Sequence, residues 1–115
     1  MRLLLDGQLA HVKRFSSVDG WFCVLEPQVP SCNCGAIVAT FSHGAVVHAE
    51  NGMEIVWKYL GNEETEIARV PLPAGDHNEA TSTCRIGENP WPAGLYKVTL
   101  LANGVVLCTK EFEVK

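Results

Sequence analysis

The chain has no apolar run near the roughly 18 residues that a membrane-crossing helix needs. Its N-terminal run, Leu3-Leu4-Leu5, ends at Asp6-Gly7-Gln8, too soon for the apolar core of a secretory leader. It also lacks a basic patch: of 9 Lys and Arg residues only Lys13 and Arg14 are adjacent, and the formal net charge is −4. Neither a nucleic-acid surface nor an anionic-membrane surface is expected from such a distribution. No Asn-x-Ser/Thr acceptor site occurs, which fits a non-secreted protein. The 5 cysteines (Cys23, Cys32, Cys34, Cys84 and Cys108) are odd in number and dispersed, unlike the disulfide framework of a small secreted domain. They are expected to be reduced thiols packed as small hydrophobes, and a Cys23–Cys108 bridge would require neighbouring strands. Helical periodicity is missing too, because 10 Gly and 6 Pro punctuate the chain too often.

What is present is the pattern of an all-β domain. At 115 residues, 47% hydrophobic and 19% charged, the chain has the size and composition of one globular domain. Residues 1–20 read as an N-terminal arm or edge strand, and residues 21–115 as the domain proper. Trp21-Phe22-Cys23-Val24-Leu25 is a β-rich run ending at Glu26-Pro27, and Pro27 to Gly35 reads as a loop. Ala36 to Phe41 is a strand that Ala45 to Ala49 continues or follows, and Asn51-Gly52 is a tight turn. Met53, Ile55, Trp57 and Tyr59 alternate with Glu54, Val56, Lys58 and Leu60, a strand with a large aromatic inward face. Thr65 to Val70 is a further strand, stopped by Pro71 to Gly75; Asp76 to Glu79 reads as polar loop, and Ala80 to Ile86 as a strand.

The last quarter is the clearest stretch. Two apolar runs meet at Asn103-Gly104, residues that both accept positive φ, so a type I′ hairpin is expected. Tyr96, Val98 and Leu100 form the better core face of the first strand; Leu95, Lys97, Thr99 and Leu101 form the other. Val105 to Cys108 is continuously apolar, which invites a bulge before the alternation settles at Phe112 and Val114.

About seven to nine short strands, with turn signals roughly every 8–12 residues, spell an antiparallel β-sandwich. A ligand-enclosing barrel usually needs a longer chain. The pattern Trp91-Pro92-Ala93-Gly94-x-Tyr96-x-Val98, followed by the turn and by Phe112-x-Val114, resembles the last two strands of bacterial immunoglobulin-like (Ig-like) domains. The resemblance covers about a third of the chain. It implies an Ig-like sandwich with Trp57 as the buried tryptophan of its central strand and Tyr96 as a tyrosine corner. Members of that group serve as adhesion modules, enzyme appendages, chaperones and pilus parts, so no active site is carried across.

Candidate chemistry is sparse. Cys32 and Cys34, with His43 and His48 downstream, are soft metal ligands, but no second pair at finger-like spacing completes a tetrahedral set. Glu63, Glu64, Glu66, Asp76 and Glu79 lack calcium-loop spacing and read as a solvated face. Trp21 and Trp91 are candidate stacking platforms for a carbohydrate or surfaces for a partner. No nucleophile elbow, His-Glu-x-x-His or phosphate loop occurs. The expectation is therefore a non-catalytic binding or interaction domain with no cofactor. Its partner would be another protein or a second copy, and the runner-up role is small-ligand binding around Cys32–His48 or at exposed aromatics. A native start at Met1 would place it in the cytoplasm.

Overall fold

The structure, a computed structural model, describes residues 2–5, 8–17, 20–27, 36–85 and 94–114. Trp91, Cys32, Cys34 and the expected Pro92-Ala93 turn lie outside them. Among the described residues are nine strands: β1 (Arg2–Leu5), β2 (Gln8–Ser17), β3 (Phe22–Pro27), β4 (Ala36–Ala49), β5 (Met53–Leu60), β6 (Glu64–Leu72), β7 (Gly75–Arg85), β8 (Gly94–Ala102) and β9 (Val105–Val114). They make two antiparallel sheets, one six-stranded in the order β1-β2-β9-β8-β5-β6 and one three-stranded in the order β3-β4-β7. The fold is all-β and sandwich-like.

Local sequence explains the connections. The β8–β9 hairpin turns at Asn103 (φ 53°) and Gly104 (φ 74°), both in the left-handed region that a type I′ turn requires. Past the turn Leu101 faces Val106 and Leu100 faces Cys108, so Leu107 is the extra residue of a bulge in the continuously apolar run. At Asn51-Gly52 the chain leaves β4 in one sheet for β5 in the other. The Gly52 amide donates to the Ala49 carbonyl (3.2 Å), and a Cβ on Gly52 would lie 2.5 Å from the Leu72 carbonyl oxygen. Only glycine fits there.

One expectation needs correcting. Residues 76–79 are not loop: β7 begins at Gly75, and Val47, His48 and Ala49 of β4 face His77, Asp76 and Gly75. Their polar character reflects an edge strand with little of its beginning buried. In the N-terminal stretch β1 lies at the edge of the six-stranded sheet and pairs with β2, which in turn pairs along β9.

Between the sheets lies a core of Trp21, Leu25, Ile37, Phe41, Ile55, Trp57, Tyr96, Val98, Leu100, Phe112 and Val114, each under 2% exposed. Tyr96 stacks on Phe112 (centroids 5.5 Å, 13°) and Trp57 meets Phe112 edge-on (6.4 Å, 83°). The Trp57 indole N–H donates to the buried Ser82 hydroxyl at 2.9 Å, tying β5 to β7 across the sandwich. A second tie is the Lys110 ammonium, which donates to the Cys23 carbonyl at 2.6 Å and joins β9 to β3.

Candidate functional site

The outward residues of the two sheets form two different surfaces, and the strand registers lay each out as a grid. On the three-stranded sheet, one row across the strands is Phe22–Ser42–Glu79, the next Val24–Thr40–Thr81, and the third Glu26–Val38–Thr83. Within these three rows charge appears only at two opposite corners, Glu26 and Glu79; beyond them Arg85 stands opposite Ala36. Phe22 is 62% exposed and Val24 41%, because serine and threonine neighbours are too short to cover them. At one end of this sheet β4 bulges between Ser42 and Val47, and Val46 in the bulge is 64% exposed. Phe22 and Val24 are same-face neighbours on β3; elsewhere Val105 (59%), Val106 (45%) and Leu95 (39%) are exposed on β8 and β9.

On the six-stranded sheet the rows run Glu66–Lys58–Lys97–Glu111, then Arg69–Val56–Thr99–Thr109, then Pro71–Glu54–Leu101–Val106. Lys58 and Lys97 stand directly opposite, a like-charge pair that costs stability unless bridged. Glu64 bridges them, accepting from Lys58 at 3.1 Å and from Lys97 at 3.0 Å. These two hydrogen bonds hold the Glu64 carboxyl below its ordinary range. Arg69 binds Glu66 at 2.8 Å and also Glu54, which keeps Glu66 low and Arg69 firmly protonated. The stems of these side chains cover the middle row, where Val56 and Thr99 are buried although they point away from the core. A shallow depression of about 140 Å³ remains, lined by Lys58, Arg69, Lys97, Thr99 and Thr109 among others, and Thr109 donates to Thr99 at 3.3 Å. Every cation lining it has a carboxylate partner.

Of the residues singled out in the sequence, those the structure describes form no shared ligand set. Trp21 is 1% exposed and packs edge-on to His43 (centroids 5.1 Å), so it is a core residue and not a stacking platform. The Nδ1 atom of His43 accepts from the Ala45 amide at 2.9 Å within the β4 bulge. His48, farther along β4, pairs across the ladder with Asp76 at 2.8 Å, and His77 donates to the Pro73 carbonyl at 2.7 Å. No group of three or more His, Cys, Asp or Glu suited to a metal occurs among the described residues. Cys23, Cys84 and Cys108 are buried and outside any disulfide. Burial pushes the Cys23 thiol up to about 12 and the Cys108 thiol up to about 11, against the smaller opposing pull of Lys110. The nucleophilic thiolate is therefore scarce at neutral pH.

The sparsely charged outer face of β3, β4 and β7 is not legible in the sequence. All five residues from Trp21 to Leu25 are apolar, so the alternation that separates Phe22 and Val24 from their inward neighbours leaves no mark. No protein-family model matches the chain, and no curated protein matches it.

Proposed function

We propose that the protein is an Ig-like sandwich acting as a non-catalytic, protein-binding accessory or adhesion-type module that docks its partner on the outer face of the three-stranded sheet. The observation that carries this role is the exposure of Phe22 (62%) and Val24 (41%) on a face whose three central rows carry charge only at Glu26 and Glu79. Burying these two side chains under a partner removes apolar surface from water with little charge to desolvate. Hydroxyls of Thr40, Thr81 and Thr83 would give the contact its hydrogen bonds.

The Ig-like assignment is supported by the core. Trp57 is buried on β5 directly opposite Val98 of β8, and Tyr96 is buried two residues after Gly94, whose φ is 143°. That is the arrangement expected of a central-strand tryptophan and of a tyrosine at the start of the penultimate strand. Small-ligand binding near His43 and His48 has less support, since both side chains are engaged in bonds local to β4 and β7.

The test is recovery of partners from an extract of the source cells. Wild type and a Thr109→Arg variant on the opposite face are expected to retain the same partner, and Phe22→Asp to lose it. Equal recovery by Phe22→Asp and wild type would contradict the role.

A further inference from the structure

Beyond face binding, the four sheet edges differ in how they are protected. Edge strands are normally blunted by shortness, proline, lysine, bulges or inward charges, because their open backbone groups template pairing with another chain. β1 is a strand of 4 residues. β6 carries Pro71 and a register shift opposite Trp57/Lys58. β3 ends at Pro27, and the inward-pointing Lys110 caps its Cys23 carbonyl. β7 is 11 residues long and contains neither proline nor lysine. Among the described residues no strand pairs along its far side.

We propose that the occupant of the β7 edge is a second copy of this chain, paired antiparallel β7 to β7 with Ser82 on the twofold axis. The argument is self-complementarity. Glu79 and Arg85 stand equally far from Ser82 on either side, so this register sets Glu79 of each copy across from Arg85 of the other, at both ends of the paired segment. Thr81 then faces Thr83, a favourable cross-strand combination, and the small inward residues Ala80 and Cys84 face each other. Other twofold registers lose this match. Centring on Thr81 sets His77 against Arg85, and centring on Glu79 sets like charges against each other. A foreign extended peptide would have no reason to carry that matched spacing, whereas a second copy carries it necessarily. The isologous contact closes, so it gives dimers and not fibres. It also merges two three-stranded sheets into one of six and leaves Phe22 and Val24 exposed at the outer strands, free for the role proposed above.

The experiment is sedimentation equilibrium of the full chain from about 10 µM to about 1 mM, with Glu79→Arg, Arg85→Glu and the double reversal alongside. The expected result is a reversible dimer in the wild type. Each single reversal sets like charges opposite each other twice and weakens dimerisation about tenfold, and the double reversal restores it. Hydrogen exchange on the same samples reads the contact independently of the variants: amides between residues 79 and 85 are expected to gain protection as wild-type concentration rises. A monomer throughout the range would overturn the proposal. So would a dimer that is indifferent to Glu79→Arg, or one whose protection appears elsewhere. Phe22→Asp should leave the dimer intact, so failure of the edge contact and failure of the face role are separable.

Discussion

Val56 points away from the core of the six-stranded sheet yet is 2% exposed, whereas Phe22, the larger outward residue on the three-stranded sheet, is 62% exposed. The difference lies in the neighbours. Around Val56 the outward rows carry lysine, arginine and glutamate, whose long stems lie over the sheet while their heads pair in water. Around Phe22 and Val24 the outward rows carry serine and threonine, which satisfy the strand without shielding anything. The rows around Val56 are therefore closed by their own long side chains, although Val106 at the end of the next row is 45% exposed, while Phe22 and Val24 are left open.

The largest expected effect comes from cutting the tie that holds the two faces back to back. Trp57→Ala should destabilise the fold by about 3–5 kcal/mol in urea denaturation, through lost core volume and an orphaned Ser82 hydroxyl. Trp57→Phe should keep most of the packing and cost about 1–3 kcal/mol, chiefly the unmet hydrogen bond.

Next comes alkaline pH, which attacks the interior that both faces share. Tyr96 is pushed up to about 12 by burial, alongside Cys23 at about 12 and Cys108 at about 11. All three ionise more readily in the unfolded chain, so the unfolded state binds fewer protons as pH rises and folding stability falls. Stability should be flat from about pH 6 to about pH 8.5 and decline by about 1 kcal/mol or more per pH unit toward pH 11, read by denaturant titration across pH. At pH 7 the buried thiols should resist alkylation until the protein unfolds.

Smaller effects separate the faces themselves. Phe22→Asp should change stability by less than about 0.5 kcal/mol, since the ring contributes little to folding, while abolishing partner binding. Glu64→Gln should lower the melting temperature slightly at low salt by leaving Lys58 and Lys97 facing each other. The difference should vanish at high salt, because all three groups are in contact with solvent.

Much of the fold could be read from the chain because the controlling residues are local. Asn103-Gly104 sets its own turn, and the Met53–Tyr59 and Tyr96–Leu100 alternations set their own faces. The first part of β7 carries no strand signal in the sequence, because Asp76, His77 and Asn78 show no alternation. They are held in a strand only by β4 beside them. Trp21 looked like a platform because exposure is a property of the folded surroundings and not of residue type. The sparsely charged face and the Glu64 bridge are invisible for the same reason: each needs a strand distant in sequence, β7 for the face and β8 for the bridge, and only the register brings it in.

The most direct measurement is site-specific photo-crosslinking in the source cells, with the photoreactive residue placed at position 22 in one variant and at position 109 in another. A discrete protein adduct from position 22, and none from position 109, is the outcome expected if the outer face of the three-stranded sheet is the docking surface. Adducts from position 109 with none from position 22 would contradict it.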